Sequence, residues 1–229
     1  MLAAAFMTTD PLPTVEVETG PAPSYSVIWM HGLGADGNDF VPLVERFGVE
    51  GTQVRFVFPH APMRPVTINE GYVMRAWYDI AYENLSLKED EKGVRESQEA
   101  MEVLIAREQA RGITPAHIIL AGFSQGGAVA LQTGLRHRAR LAGILALSAY
   151  LPLPDTVEQE RAKANLQIPV FMAHGSEDPI VPLKLAQGSC SRLLTLGYPV
   201  EWHEYHMPHS VCEEEVADIG LWLMRIVQG

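Results

Sequence analysis

The run Gly122-Phe123-Ser124-Gln125-Gly126 sits between two stretches of different character, and that position limits what the chain can fold into. Before it, His117-Ile118-Ile119-Leu120-Ala121 is too short for an amphipathic helix and rich in β-branched residues, which suits a strand buried on both faces. After it, Gly127 to Thr133 combines small residues with an apolar stripe, which suits a helix packed closely on a sheet. A sharp turn between the two forces Ser124 into strained backbone and lifts its hydroxyl above the sheet. Neighbours without side chains make such a turn sterically possible, hence Gly122 and Gly126. An ordinary glycine-rich turn is the plain alternative; the strand before and the helix after favour an exposed nucleophile.

A chain of 229 residues can bury the core of one large α/β domain, and 47% hydrophobic with 20% charged residues describes an ordinary globular protein. The formal net charge is -11, and no Lys/Arg cluster offsets it, which argues against nucleic acid and anionic membrane surfaces as partners. Cys190 and Cys212 have neither disulfide-framework nor metal-type spacing, so a reducing, cytoplasmic setting is expected. The apolar start Met1 to Met7 lacks a basic region and a long hydrophobic core, and no later run approaches spanning length, so no stable membrane insertion is expected.

Residues 1–24 read as an N-terminal extension that contributes at most one edge strand, through Val15 and Val17 alternating with Glu16 and Glu18. Residues 25–229 read as a single domain. Further strands are expected at Ser26 to His31 and Leu141 to Ser148, both buried in character, and at Val54 to Phe58, Ile168 to His174 and Val200 to Tyr205, the last of the chain. Helices are expected from Asp39 (Phe40, Leu43, Val44, Phe47), from Val94 to a stop at Gly112, from Leu183 to Gly197, and from Glu213 to Gln228. Pro59 to Asp79 reads as an irregular, aromatic-rich loop, and Glu83 to Gly93 as a polar, mobile surface segment. This alternation implies an α/β fold: an open, mostly parallel sheet with helices on both faces and its site at the carboxyl ends of the strands.

Gly32-Leu33-Gly34-Ala35-Asp36-Gly37 has the form of a dinucleotide fingerprint after a strand. Asp36 and Asp39 would set negative charge beside a pyrophosphate, and the next strand ends in Pro59-His60 without an acid for a ribose. The loop better serves to present a backbone N–H to developing negative charge.

A serine hydroxyl needs a base, and the base needs an orienting carboxylate. In folds of this type the order is Ser, then Asp or Glu, then His. Asp178, at the tip of the strand beginning near Ile168, is the best acid; Asp155 and Asp218 read as surface residues. Among His203, His206 and His209, the first lies within a strand and the second at its end. His209, after Pro208 and before the last helix, is preferred as base. A metal on the three histidines is disfavoured because residues three apart on a strand face opposite ways and Pro208 prevents a helix. His31 and His60 precede the serine and read as donors or acceptors in loop-stabilising hydrogen bonds. The expected chemistry is acyl transfer to water: Ser124 attacks, His209 takes the proton, Asp178 steadies the imidazolium, and the N–H groups of Leu33 and Gln125 receive the oxyanion.

These segments jointly resemble the phospholipase/carboxylesterase family, which includes bacterial carboxylesterases and acyl-protein thioesterases. The resemblance is carried by Gly-Phe-Ser-Gln-Gly-Gly-Ala at 122–128, His-Gly-Leu-Gly-Ala-Asp-Gly at 31–37, Phe-Pro-His-Ala-Pro at 58–62 and Trp-Tyr-Asp-Ile at 77–80. His-Gly-Ser-Glu-Asp-Pro-Ile-Val at 174–181 and His-Ser-Val at 209–211 complete it, over roughly residues 25–227. It implies an α/β-hydrolase fold with little or no cap domain, a Ser124, Asp178 and His209 triad, Leu33 and Gln125 as oxyanion donors, and no metal or cofactor. It also implies short- to medium-chain acyl esters, thioesters or acylated proteins as substrates, and homodimers in some members. Pro208 is a departure, since the family pattern implies Gly there. Trp77, Leu85, Leu87 and Ile180 are the candidate contacts for an acyl chain; for Leu85 and Leu87, packing under their own loop is the simpler account. A non-catalytic ligand-binding protein on a hydrolase scaffold is the alternative from another class.

Overall fold

The computed structural model describes residues 10–83 and 86–229. In chain order the strands are β1 (Thr14–Glu18), β2 (Tyr25–Met30), β3 (Val54–Pro59), β4 (Met63–Val66), β5 (Tyr72–Arg75), β6 (Ile80–Glu83), β7 (Ser86–Glu89), β8 (Ile118–Phe123), β9 (Gly143–Leu147), β10 (Val170–Gly175) and β11 (Val200–Tyr205). The α-helices are α1 (Glu91–Ala110), α2 (Gln125–Arg136), α3 (Val157–Glu160), α4 (Leu183–Thr195) and α5 (Glu213–Gln228). Seven strands make one sheet in the order β1-β3-β2-β8-β9-β10-β11, parallel throughout except for β1 against β3.

The alternation of a strand divides the core into two layers. Ile118 and Leu120 of β8 join Ile28, Ile144 and Met172 under α1, α2 and α4. Ile119 and Ala121 join Val27, Leu145 and Phe171 under α5 and the segment around Phe40, Val44 and Phe47. The central strands are therefore mostly apolar because both faces are covered, with Ser26 of β2 and His174 of β10 as buried polar positions.

Edge strand β1 carries its charges outward in ion pairs. Glu16 meets Arg107 at 2.9 Å and Arg111 at 3.0 Å, while Glu18 meets Arg55 at 2.9 Å. A charged edge of this kind discourages further strand addition.

Three local expectations need correction. The stretch after Asp39 is a seven-residue 3-10 helix, Val41–Phe47, with Pro42 in its first turn and a stop at left-handed Gly48. Pro42 is tolerated there because a first-turn N–H has no partner in the helix, and the apolar spacing still faces the core through Val44 and Phe47. The region 59–79 contains the hairpin β4–β5, and the region 83–93 supplies β7 and the start of α1. Asp90 caps that helix, accepting from the Gly93 N–H at 3.0 Å. An Asp three residues before a Gly inside a polar run is a helix start that its composition disguises.

Chain order reverses between β2 and β8: from β2 the sheet grows first to β3 and then, on the other side, through β8, β9, β10 and β11. The crevice beyond the carboxyl ends of β2 and β8 is where an open α/β sheet receives its ligand. Ser124 lies there, between β8 and α2, at φ 55° and ψ -120°. A Cβ at Gly122 would run into the backbone of Gly126, and one at Gly126 into the Met30 carbonyl. Helix α2 can approach the sheet this closely only because both residues lack side chains.

At the start of α5, Glu215 is fully buried. Its position is the one from which a capping-box Glu reaches back to the N-cap N–H, here that of Cys212. Neither carboxylate oxygen has ordinary hydrogen-bond geometry, and burial pushes the carboxyl up to about 8 against the weaker pull of Cys212.

Two outcomes are expected in urea unfolding. Ser124→Gly relieves a strained φ that Ser124→Ala retains, and is expected to be more stable than the alanine variant by about 1 kcal/mol; equal midpoints would show an unstrained backbone. For Glu215, the folded carboxyl keeps its proton up to about 8 while the unfolded one releases it near 4.5. Native stability is therefore lost as pH rises between these values, by up to about 1.4 kcal/mol per pH unit. Glu215→Gln removes that slope, so its stability advantage over the native chain is expected to grow from pH 5 to pH 8.

Candidate active site

Four loops at the carboxyl ends of β2, β8, β10 and β11 converge on a cavity of about 540 Å³ whose wall includes Gly32, Leu33, Ser124, Gln125 and His209. The Ser124 N–H donates to the Leu147 carbonyl at 2.8 Å, and its own carbonyl accepts from Ala128 at 3.1 Å. The residue is thus fixed on one side by β9 and on the other by the first turn of α2.

Asp178 and His209 come from loops 31 residues apart in sequence and meet at 2.6 Å, Nδ1–H of the imidazole donating to Oδ2. The second oxygen of Asp178 accepts the N–H groups of Ile180 and Val181 at 2.8 and 2.9 Å. These bonds leave a fully buried carboxylate with its charge satisfied and its orientation set. With Nδ1 protonated toward Asp178, Nε2 is the nitrogen of His209 left to accept a proton. The His209 ring also rests against Phe123, the residue before Ser124, with centroids 4.7 Å apart.

The other acids and histidines lie elsewhere. His203 stacks on Phe171 and pairs with Glu201 at 3.0 Å, on the sheet face where strand periodicity puts it. The His206 side chain is 85% exposed, and Asp218 accepts from the Tyr205 hydroxyl. Asp155 is exposed. Pro208 accommodates its turn: its carbonyl accepts from the Ser210 N–H at 2.9 Å, beside His209.

The loop carrying Leu33 is held by neutral groups. Nδ1–H of His31 donates to the Gly32 carbonyl at 2.7 Å, and the Ala61 N–H donates to its Nε2 at 3.0 Å. Burial holds the His31 pKa down to about 4, so the ring stays neutral and keeps this tautomer at physiological pH. The indole N–H of Trp77 donates to the His31 carbonyl at 2.9 Å, and the left-handed Gly34 donates its N–H to the Arg75 carbonyl at 2.9 Å. His60 accepts from the Gly37 N–H at 3.1 Å. Both upstream histidines therefore serve loop geometry.

Trp77 requires a correction. It is fully buried and outside the cavity wall, because its ring fills the core and its N–H is committed to His31. Ile180 does line the cavity and is 62% exposed, which puts it at the mouth. Leu85 lies outside the described residues, and for Leu87 the description extends to the backbone of β7 alone.

Several participants escaped sequence reasoning. The Gln125 side chain accepts from the Trp77 N–H at 2.9 Å and donates to the Tyr78 carbonyl at 2.7 Å, tying the elbow to the aromatic loop. The Tyr78 and Tyr150 hydroxyls meet at 2.9 Å in the cavity wall. Ile68 and Leu185 stand at the mouth with Ile180. A polar residue adjoining a strained serine is a usable signal for the first; the others come from elements whose spacing says nothing about the site.

A sequence model of the phospholipase/carboxylesterase family matches residues 13–226, beginning before the segment that carries the motif resemblance. The chain is 40% identical to acyl-protein thioesterase 1 of Gibberella zeae over 210 residues, 87% of this chain and 89% of that one. It is 36% identical to acyl-protein thioesterase 1 of Yarrowia lipolytica over 221 residues, 93% of this chain and 96% of that one. The crystal structure of Arabidopsis thaliana SOBER1 superposes with a TM-score of 0.82 at 30% identity, covering 89% of this chain and 99% of SOBER1. Among the described residues no helix is long and apolar enough to cross a membrane. With this fold and these relatives, the chain belongs to the phospholipase/carboxylesterase family of α/β-hydrolases, serine hydrolases that act on carboxylic ester bonds.

Proposed function

We propose that the chain hydrolyses acyl esters and thioesters through a covalent acyl-enzyme formed on Ser124, with His209 as general base and acid and Asp178 as its orienting carboxylate. The observation that carries this reading is the 2.6 Å contact of Asp178 with His209 while His209 and Ser124 share one cavity wall. Ser124 Oγ bonds to the substrate carbonyl carbon as its proton passes to His209 Nε2. The carbonyl oxygen becomes an oxyanion that accepts from the N–H groups of Leu33 and Gln125, each such donor contributing about 3 kcal/mol in the transition state. Collapse breaks the bond to the alcohol or thiol, which leaves with the proton from His209. Water then attacks the acyl-enzyme by the same steps, releasing the acid and restoring Ser124.

The mouth residues Ile68, Ile180 and Leu185 support an acyl chain of short to medium length as the group received there. The names of the relatives, acyl-protein thioesterase 1, support an acylated protein as one natural source of that group. Cys190 and Cys212 are both free thiols, which fits work in a reducing cytoplasm.

Intact-mass measurement after fluorophosphonate treatment is expected to show one adduct on the native chain and none on Ser124→Ala or His209→Ala. An adduct that survives in the Ser124→Ala variant would remove Ser124 from the mechanism, and a folded native chain without any adduct would favour a binding protein instead. Asp178→Asn is expected to lower kcat by about 10⁴-fold, since the asparagine favours the wrong tautomer of His209. In an ester chain-length series, Ile180→Ala is expected to weaken kcat/KM for longer chains by about 1 kcal/mol while sparing acetate esters. A uniform loss across the series would place Ile180 outside the acyl path.

A further inference from the structure

His174, the fifth residue of β10, brings a second imidazole to the Asp178 carboxylate. Its Nε2 lies 2.8 Å from the Val181 carbonyl and 3.4 Å from Asp178 Oδ2, the oxygen that also receives His209. A carbonyl only accepts, so Nε2 carries the proton and Nδ1 is bare. The residue is fully buried, and Nδ1 has no hydrogen-bond partner. An imidazolium would therefore leave its Nδ1–H unpaired in the interior, and burial disfavours its charge despite Asp178 nearby, which keeps the ring neutral. Burial accordingly holds the pKa of His174 below the usual imidazole range. The ring stacks beside Trp202 of β11, with planes 15° apart. The charged or titratable groups that face it are Asp178 from the loop after β10, His209 from the loop after β11, and Glu204 on β11 itself.

We propose that His174 is a positioning residue for Asp178: a neutral donor whose single N–H goes to the Val181 carbonyl and fixes the turn that holds the carboxylate toward His209, with the same ring nitrogen set 3.4 Å from Asp178 Oδ2. The inference rests on the reading of Ser124, Asp178 and His209 as the reacting set. Val181 takes part twice, giving its N–H to Asp178 Oδ1 and its carbonyl to His174, so the loop from 174 to 181 closes on the carboxylate from both ends. The protonated Nε2 of His174, 3.4 Å from Oδ2, also sets the positive end of a dipole beside the oxygen that Asp178 offers His209. It thereby limits how tightly the imidazolium is held, and the base can return its proton to the leaving group.

Two variants and one spectroscopic measurement test this with a p-nitrophenyl butyrate assay. His174→Leu removes the donor at similar volume. His174→Gln keeps a side-chain N–H within reach of the Nε2 position. His174→Leu is expected to lower kcat by about ten- to a hundred-fold with KM within about two-fold of native. It is also expected to move the acid limb of the kcat/KM profile to higher pH, because Asp178, without the His174 N–H dipole beside Oδ2, stabilises the His209 imidazolium more. His174→Gln is expected to recover most of both. A leucine variant with native kcat and a native acid limb overturns the proposal. So does a glutamine variant as impaired as the leucine one, with neither limb moved, which would mark His174 as packing alone.

The native chain supplies a readout that no variant's folding can compromise. Imidazole ¹⁵N shifts are expected to show His174 as the neutral Nε2–H tautomer from pH 5 to pH 9, with a shift in its Nε2 resonance as His209 titrates. Protonation of His174 within that range, or a proton on Nδ1, overturns the proposal. Fluorophosphonate labelling separates the two levels of inference: no adduct on the native chain removes the catalytic reading itself, whereas native-rate labelling of His174→Leu removes only the role of His174.

Discussion

The first turn of α2 lies against the backbone at the end of β2, and the rest of the site depends on that contact. With no Cβ at Gly126, the helix comes down onto the Met30 carbonyl, and with none at Gly122 the chain can turn on itself between strand and helix. Ser124 is then held where β2 and β8 diverge, beside the loop that follows β2. A helix standing farther off would separate the serine from Leu33 and from the His209 loop, and no side-chain adjustment would restore the spacing.

Around this fixed point the protein uses mainly neutral hydrogen bonds where it needs direction. His31, Trp77 and the Gln125 amide bind three loops together without a net charge, and the bonds gain strength in a region that excludes water. Asp178 is the exception, a buried carboxylate, and it is enclosed by backbone N–H groups and imidazoles. Such an arrangement needs little reorganisation when charge develops elsewhere in the cavity. The overall acidity of the chain plays no visible part, because its ion pairs cluster on β1, α1 and the surface helices.

Much of this was legible in the sequence, for a physical reason. Parallel strands covered on both faces must be short apolar runs, so β2, β3, β8, β9 and β10 announce themselves, and a Gly-x-Ser-x-Gly run between strand and helix marks one turn. The juxtaposition of Asp178 with His209 followed from loop order along such a sheet. What stayed hidden depends on contacts between segments distant in sequence. Trp77 resembles a cavity aromatic until its N–H is seen committed to His31 across 46 residues. The segment after Asp39 is a 3-10 helix with the apolar spacing of an α-helix, so spacing alone could not tell the two apart. The hairpins β4–β5 and β6–β7 are four-residue strands without a clean apolar alternation, so that only their pairing shows them as strands.

Edge strand β1 has one more implication, which follows from its direction. Because it runs opposite to its neighbours, Thr14 pairs with Pro59 at the carboxyl end of β3, and the Pro13 carbonyl accepts from the His60 N–H at 2.9 Å. The chain therefore enters the fold on the rim where the cavity opens. Three strand spacings, roughly 14 Å, separate β1 from β8 across the sheet. An affinity tag or a surface tether that bears on β1 itself would therefore act on the working side of the molecule. In building immobilised or fused forms, the other terminus, at the end of α5, is the better point of attachment to compare against it.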